Sequence, residues 1–330
     1  MEGGLRGSSE VLDVVRRRAA EGSRPGARAD GYAVALVIEG GGSRGTVTGG
    51  MAMALHELGL REAFDDVYGA SAGAISGAWF TSSTPEKLVG WTEPAYMKML
   101  IRHHGPLTRR PVVDVKTLVE VVYVEHAPMD FASIVVSPIR WHPLATDAHT
   151  GESIDLHPYV REPSDVQLAI RASAAMPLLA GGAVDMAGRH FFDAGVSEPL
   201  PFRTAIAQGA THVLVLRSRR PHDTPKSSRA TRHVVARTAL RGHGHGFRHA
   251  LLDSTRQYVV DDGILNGRFP TAHFWPPIAA IRPSVDSPKV SRLASRGDVL
   301  EAAFAAGEAA VRAVFAADDR AEGQVAPATG

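Results

Sequence analysis

The stretch YAVALVIEGGGSRG, residues 32–45, joins a run of apolar residues to a cluster of glycines. The continuous apolar run at 33–38 is typical of a strand that is buried on both faces in a parallel sheet. The glycines predict a tight turn, and Val47, Met51 and Leu55 then recur at the spacing of a helix. The stretch therefore predicts a strand, a glycine-rich turn and a helix, which is how a parallel α/β fold begins.

A second stretch, DVYGASAGAIS at residues 66–76, repeats this order with a serine in the turn. A short strand is predicted at 64–68 and a helix at 72–80, so the two stretches form a βαβ unit. The right-handed crossover of such a unit places the carboxyl ends of both strands on one edge of the sheet. The turns at Gly40–Gly45 and Gly69–Gly73 are therefore expected to open onto one crevice.

The second turn matches the pattern G-x-S-x-G, with Ser71 at its centre. In acyl-transferring enzymes this pattern forms a sharp strand-to-helix elbow that exposes the serine hydroxyl. Gly69 and Gly73 would permit the elbow, and the N–H of Ala72 would be available to a developing oxyanion. In a chain with 33 glycines among 330 residues the pattern also arises by chance, so its meaning depends on its surroundings.

The first turn supplies suitable surroundings. Gly40, Gly41 and Gly42 have no side chains to keep a substrate carbonyl away from the backbone, and they tolerate positive φ. Their amides precede a helix, whose N-terminus favours negative charge. Arg44 adds a cation nearby, so this turn is a candidate oxyanion hole.

The same turn also supports a different interpretation, because Gly40, Gly42 and Gly45 satisfy the dinucleotide-binding pattern G-x-G-x-x-G. A dinucleotide site requires an acidic residue at the end of the next strand, to bind the ribose. That strand is followed instead by Ser71, with no acidic residue at its end. A nucleotide-binding enzyme is therefore an alternative function, with weaker support.

A nucleophilic serine needs a base, and two kinds of candidate follow Ser71 in the chain. Asp193 ends an apolar β-segment and precedes a tight turn, although a turn aspartate with no catalytic role has the same pattern. Histidines could complete a Ser-Asp-His triad, but most of them lie in a basic, turn-rich stretch. These histidines are His212, His233, His243, His245, His249 and His273.

Three motifs follow one another along the chain: GGGSRG at 40–45, GASAG at 69–73 and DAG at 193–195. In this order they resemble the signature of the patatin-like phospholipases. Two further segments, LATDAHTGE at 144–152 and ASAAMPLL at 172–179, resemble parts that bacterial members carry between the serine and the aspartate. Because several motifs agree in order, the resemblance is far more specific than any one of them.

The resemblance covers about residues 33–216 and implies a three-layer α/β/α fold with a mainly parallel central sheet. It implies that Ser71 is the nucleophile and Asp193 the general base of a Ser-Asp dyad, with no cofactor and no metal. The backbone of the first turn would form the oxyanion hole, and small residues would form the elbow and the turn after the base. These sets are Gly40, Gly41, Gly42 and Arg44 for the hole, and Gly45, Gly69, Ala72, Gly73 and Gly195 for the elbow and turn.

The activity implied by the resemblance is hydrolysis of lipid acyl esters, of phospholipase A, lysophospholipase or carboxylesterase type. The family usually has glycine directly after the aspartate, whereas this chain has Ala194. If the turn required positive φ at this position, the alanine Cβ would strain it. A catalytically impaired, lipid-binding member of the family is therefore a third interpretation.

The formal net charge of +1 gives no general attraction to nucleic acid, and no nucleic-acid partner is expected. Basic residues between positions 217 and 241, almost unopposed by acid, predict either a solvated insertion or a patch that contacts an anionic membrane. These residues are Arg217, Arg219, Arg220, Lys226, Arg229, Arg232, Arg237 and Arg241.

Composition also bears on compartment and domain organisation. The chain has no cysteine and no run of 18 apolar residues, and its first 31 residues lack the apolar core of a signal peptide. A cytoplasmic protein with at most peripheral membrane contact is therefore expected. The predicted organisation is a mostly flexible segment at 1–30 with a short helix over Glu10–Ala20, a catalytic domain at 31–316 with the basic insertion at about 217–246, and a flexible tail at 317–330.

Overall fold

A computed structural model of the protein describes residues 4–102, 110–223, 242–268 and 276–322, with side chains described up to residue 316. Within these ranges a nine-stranded sheet has the strand order β1-β9-β8-β2-β3-β4-β7-β6, and β5 pairs with β4. The strands are β1 Gly4–Gly7, β2 Val34–Ile38, β3 Asp66–Ala70, β4 Arg140–Asp147, β5 Ser153–Asp155, β6 Val184–Met186, β7 Arg189–Asp193, β8 His212–Leu216 and β9 Ile278–Arg282.

Helices connect the strands and cover both faces of the sheet. They are α1 Glu10–Ala20, α2 Gly45–Glu57, α3 Ala72–Thr81, α4 Pro94–Leu100, α5 Val115–Thr117, α6 Phe131–Val135, α7 Pro163–Ser173, α8 Phe202–Ala207, α9 His245–Leu265 and α10 Gly297–Glu322. Single-turn or irregular helical segments lie at Gly42–Arg44, Arg61–Ala63, Pro85–Thr92, Leu118–His126 and His157–Tyr159.

The five strands β9, β8, β2, β3 and β4 are parallel, as the apolar run of β2 predicts. Both faces of β2 are buried: Leu36 and Ile38 pack in one core, and Ala35 and Val37 pack in the other. This alternation follows from the two-residue period of a strand. The expected α/β class with helices on both sides of a mostly parallel sheet is confirmed.

The first core contains α1, α2, α3 and α10, and close helix packing in this layer depends on glycine. A Cβ at Gly50 would lie 2.1 Å from the carbonyl oxygen of Phe304, and one at Gly307 would lie 2.0 Å from that of Val47. The second core packs α8 and α9 against the opposite face through Phe202 and Tyr258. These two layers hold the carboxyl ends of β2 and β3 at one open edge.

The segment predicted to be mostly flexible is ordered from residue 4, and the short helix predicted within it is α1, with the same bounds, Glu10–Ala20. Residues 4–7 pair antiparallel with β9, and α1 buries Val11, Leu12 and Val15 completely. Arg18 is also buried, where it forms ion pairs with Asp30 and Asp65. The short sequence GLRG has no strand pattern because pairing at a sheet edge uses the backbone rather than the side chains.

One prediction near the C-terminus also differs from the structure. The last helix continues to Glu322, past the start of the predicted flexible tail, and residues 323–330 lie outside the described ranges. The alanine-rich helical pattern continues into this region, which explains the longer helix.

Candidate active site

Ser71 occupies the sharp turn between β3 and α3. Its backbone has φ 55° and ψ −122°, a strained conformation for a residue with a side chain. A Cβ at Gly73 would lie 2.1 Å from the carbonyl oxygen of Ile38, and one at Gly69 would lie 2.5 Å from the Cα of Ala74. Only glycine therefore fits on either side, and the elbow predicted from G-x-S-x-G is present.

The end of α7 holds this elbow in place. The N–H of Ser71 donates to Oγ of Ser173 over 3.0 Å, and Ser173 is completely buried. The carbonyls of Ser173 and Ala175 accept hydrogen bonds from the N–H groups of Ala194 and Asp193. The same helix end therefore positions both parts of the site, and sequence reasoning assigned Ser173 no role beyond membership of the segment at 172–179.

Ser71 and Asp193 lie in direct contact. Oγ of Ser71 donates to Oδ2 of Asp193 over 2.6 Å, and the N–H of Gly195 donates to Oδ1 over 2.7 Å. Both side chains belong to residues that are only 5–6% exposed. Burial raises the pKa of Asp193 above the usual range of an aspartate, and the hydrogen bonds from Ser71 and Gly195 and the charge of Arg292 oppose this rise.

The alanine after this aspartate does not strain the turn. Four residues other than glycine have positive φ in the described part of the chain, and Ala194 is not one of them. Its methyl group is completely buried in the second core. The turn therefore does not need glycine at this position, and the strain expected from Ala194 is absent.

The glycine-rich turn provides two free backbone donors. Gly41 has φ 154° and Gly42 has φ 61°, so the chain bends in a way that favours glycine. The N–H groups of Gly41 and Gly42 donate to no acceptor among the described residues, whereas those of Gly40 and Arg44 make long bonds of 3.4 Å to carbonyls of the chain. Of the four predicted oxyanion-hole residues, the geometry therefore favours Gly41 and Gly42 as donors.

The segment between β9 and α10 fixes this turn. The carbonyl oxygen of Arg292 accepts from the N–H of Ser43 over 2.9 Å and from its hydroxyl over 3.1 Å. The same oxygen would lie 2.4 Å from a Cβ at Gly42. Sequence reasoning missed Arg292 because a backbone contact between residues 249 positions apart has no local pattern.

Glu39, directly before the glycines, is a buried anchor that sequence reasoning also missed. Its carboxylate accepts from the N–H of Ser218 over 2.7 Å and from the hydroxyl of Tyr258 over 2.8 Å, and it pairs with Arg217 at 3.2 Å. Burial would raise its pKa, but the charges of Arg217, Arg219 and other nearby arginines outweigh this and hold the pKa below its usual range. Glu39 is therefore ionised at neutral pH.

These contacts correct part of the basic-segment prediction. Arg217 and Arg219 do not belong to a solvated patch, because both are buried and face Glu39. Arg220 pairs with Asp223. The remaining basic residues of the segment lie outside the described ranges, and these are Lys226, Arg229, Arg232, Arg237 and Arg241.

Three guanidinium groups surround the glycine-rich turn. A Cβ at Gly41 would lie 2.9 Å from a terminal nitrogen of Arg44, so this side chain lies directly against the turn. Burial, with the charges of Arg219 and Arg292, lowers the pKa of Arg44 to about 10, which leaves it charged at neutral pH. Buried Glu39 pairs with Arg219 and offsets part of this positive charge, so the three cations exceed the one carboxylate that faces them.

Histidine plays no part in the observed contacts of the site. No described histidine forms a hydrogen bond with Ser71 or Asp193. His212 is buried at the start of β8, at the opposite edge of the sheet, and His249 is exposed and pairs with Asp253. His243 packs against Phe192. Of the other histidines considered, His245 begins α9, and His233 and His273 lie outside the described ranges.

Two wider features of the described ranges complete this picture. They contain no cluster of three or more His, Asp or Glu side chains with a geometry that could hold a metal ion. None of their helices has the length and apolar character that crossing a bilayer requires.

A family model for patatin-like phospholipases matches residues 36–206. An uncharacterized NTE family protein of Mycobacterium tuberculosis, Rv1063c, is 29% identical over 177 residues, which are 51% of this chain and 44% of that protein. The uncharacterized protein YjjU of Escherichia coli is 29% identical over 203 residues, which are 56% of this chain and 52% of that protein. The chain thus matches about half the length of these curated relatives.

Two solved structures are also similar. Human GIVD cytosolic phospholipase A2 in complex with methyl gamma-linolenyl fluorophosphonate aligns with 97% of this chain and 65% of its own, at 12% identity and a TM-score of 0.45. VipD from Legionella pneumophila aligns with 86% of this chain and 68% of its own, at 10% identity and a TM-score of 0.33.

Proposed function

The chain belongs to the patatin-like phospholipase family, and on that premise we propose that it hydrolyses acyl esters of lipids with Ser71 as nucleophile and Asp193 as general base. The observation that carries this proposal is the 2.6 Å hydrogen bond from Oγ of Ser71 to Oδ2 of Asp193. A carboxylate this close to a serine on a strained elbow is the arrangement that a dyad requires. Family membership also favours the hydrolase over the dinucleotide-binding interpretation of GGGSRG.

In the proposed acylation step, Oγ of Ser71 attacks the ester carbonyl carbon and Asp193 takes up the hydroxyl proton. The carbonyl oxygen becomes an oxyanion, which receives hydrogen bonds from the N–H groups of Gly41, Gly42 and Ala72. When the intermediate collapses, the ester C–O bond breaks, and Asp193 gives its proton to the leaving alcohol. Water then attacks the acyl-serine with the same carboxylate as base, which releases the fatty acid and restores Ser71.

The raised pKa of Asp193 suits both halves of this cycle. A carboxylate with an ordinary pKa is a weak base near neutral pH, and a pKa nearer to the working pH makes proton transfer in both directions easier. Burial provides this rise, while the Gly195 N–H keeps the carboxylate oriented toward Ser71. The elbow, the turn after Asp193 and the end of α7 therefore all hold Ser71 and Asp193 in position for this proton transfer.

The charges around the crevice favour an ester that carries a phosphate. Arg44, Arg219 and Arg292 outnumber the buried carboxylate of Glu39 beside the turn, and an anionic group beside the scissile ester would offset the remaining positive charge. We therefore place phospholipids and lysophospholipids ahead of neutral acylglycerols as substrates. Peripheral contact with anionic membranes through the basic residues at 226–241 stays a prediction from the sequence.

Product analysis tests this function. Purified protein is incubated with a diacyl phospholipid, a lysophospholipid and a monoacylglycerol, and released fatty acid is measured by mass spectrometry. We expect release that depends on Ser71 and is lost in Ser71→Ala, with the phosphate-bearing lipids preferred. Equal release by the wild-type protein and Ser71→Ala, or no release from any ester, would overturn the proposal.

A further inference from the structure

A polar cleft of about 370 Å³ lies where β1 pairs with β9, at the edge of the sheet. Three arginines line it, Arg6, Arg268 and Arg282, together with His222 and Asn266. Among the described residues, none that lines the cleft is acidic. Its volume falls in the range of small-ligand sites, roughly 300–1,000 Å³, so both its size and its lining suit a small anion.

Arg282, on the inner side of the cleft, is only 4% exposed and has an unused donor. Its terminal nitrogen pairs with Oδ1 of Asp262, an oxygen that also accepts from Arg217 over 2.8 Å. Its Nε is buried and donates to no acceptor among the described residues. Because this Nε is closed off from solvent, Arg282 meets a ligand in the cleft through its terminal nitrogens, and its charge helps to attract an anion.

The buried charges behind the cleft form one connected row. Arg217 pairs with Glu39 and with Asp262, Arg219 pairs with Glu39, and Arg282 pairs with Asp262. The row contains three guanidinium groups and two carboxylates, so it keeps an excess of one positive charge. Because Asp262 is shared between two arginines and also accepts from Asn266 over 2.9 Å, it has no capacity left to neutralise further cations.

Arg6 and Arg268, on the outer side, are exposed and form no ion pair with any described residue. Within the part of the chain that the structure describes, these two positive charges have no partner at the cleft. A phosphate monoester carries a charge of about −1.5 to −2 at pH 7. The guanidinium fork also matches the geometry of phosphate oxygens better than a point charge does.

We propose that this cleft binds a phosphate monoester through Arg6, Arg268 and Arg282. The site is separate from the Ser71 crevice, because the ends of β9 and β3 are three strand spacings apart, roughly 14 Å. Both lie at the carboxyl edge of the parallel strands, where α/β proteins bind ligands. The phosphate can belong to a soluble small molecule or to a lipid headgroup such as that of phosphatidate.

Calorimetry with inorganic phosphate at constant ionic strength tests the site itself. The double variant Arg6→Ala/Arg268→Ala is compared with the wild-type protein and with Arg161→Ala/Arg256→Ala, which removes the same charge from exposed arginines outside the cleft. We expect the first pair of substitutions to weaken phosphate binding at least tenfold and the control pair to leave it unchanged. Binding of phosphate at the Ser71 crevice would be equal in all three proteins.

Co-sedimentation with phosphatidate and phosphatidylcholine vesicles distinguishes the two sources. If the ligand is a lipid headgroup, the cleft variant loses binding to phosphatidate vesicles as well as to phosphate. If the ligand is soluble, only phosphate binding falls. Wild-type affinity of the cleft variant in both assays, or no phosphate binding by the wild-type protein, would overturn the proposal. Neither assay measures ester hydrolysis, so failure of the proposed function would not affect the result.

Discussion

The carbonyl oxygen of Arg292 occupies the space that a side chain at Gly42 would need, since a Cβ there would lie only 2.4 Å from it. The same oxygen holds Ser43 through two hydrogen bonds. A segment far along the chain, outside residues 36–206 that match the family model, therefore fixes the proposed oxyanion hole.

Gly42→Ala should accordingly lower activity more than it lowers stability. The alanine must move away from Arg292, which displaces the Gly42 N–H, and loss of one oxyanion donor typically costs about 10²–10³ in turnover. Gly59→Ala is the matched control, because Gly59 also has positive φ, 72°, but no atom would lie within 4 Å of its Cβ. We expect the control to lose about 1–2 kcal/mol of unfolding free energy and no activity. Equal kcat values for the two variants would contradict this account of the turn.

Ser173→Ala should disturb the elbow, because it leaves the buried N–H of Ser71 without an acceptor. An unsatisfied buried donor costs about 1–3 kcal/mol, and a misplaced nucleophile should lower kcat more than it raises KM. Ser76→Ala is the control, since Ser76 is equally buried but its hydroxyl has no partner among the described residues. Thermal unfolding and ester kinetics on both variants check this. A Ser173→Ala protein as active and stable as Ser76→Ala would refute the positioning role.

Asp193→Asn should abolish turnover without reducing stability at neutral pH. The folded-state pKa of Asp193 is raised, so folding favours the protonated form. Its contribution to stability is present below the unfolded pKa of about 3.9 and is lost as the pH rises through the folded value. The asparagine variant has no such loss, so it should equal or exceed the wild-type unfolding temperature at pH 7.

The same linkage predicts how this difference changes with pH. Well below pH 4 the wild-type carboxyl is protonated in both the folded and the unfolded state, and the advantage of the asparagine variant should disappear. Unfolding temperatures of both proteins, followed from below pH 4 up to pH 8, measure this change in the stability difference. A wild-type protein that gains stability over Asp193→Asn as the pH rises would mean that the carboxylate stabilises the fold.

Arg292→Gln should change substrate preference. The substitution keeps the carbonyl that binds Ser43 but removes a cation from the crevice. A hydrogen bond to a charged group contributes about 1.5–3 kcal/mol, so kcat/KM for a lysophospholipid should fall about tenfold or more relative to that for a monoacylglycerol, beyond any change that both share through the pKa of Asp193. Arg296→Gln, on the same segment but exposed and paired with Asp298, should change neither. An equal fall for both substrates would assign Arg292 a general role instead.

Local patterns in the sequence predict those parts of the site that depend only on residues close together in the chain. The apolar run at 33–38 and the glycines around Ser71 predict β2, β3 and the elbow, because strand burial and tight turns impose requirements on adjacent residues. The α/β class and the shared edge of the two turns follow from the same patterns with the crossover rule.

The parts that the sequence did not predict depend on distant contacts. Ser173, Arg292 and Glu39 act through hydrogen bonds to residues more than 100 positions away, which no local pattern records. Arg217 looks like a member of a solvated basic run, but burial beside Glu39 gives it a structural role. The backbone at Ala194 could not be foreseen either, since φ depends on how the turn packs against α7.

The rate at which a fluorophosphonate labels the intact protein tests the central claim most directly. Such reagents react with an activated serine, so mass spectrometry should find one label per chain, on the peptide that contains Ser71, and none in Ser71→Ala. Asp193→Asn should react about 10²–10⁴-fold more slowly, because it lacks the general base. A label on another residue, or an equal rate in Asp193→Asn, would contradict a Ser71–Asp193 dyad.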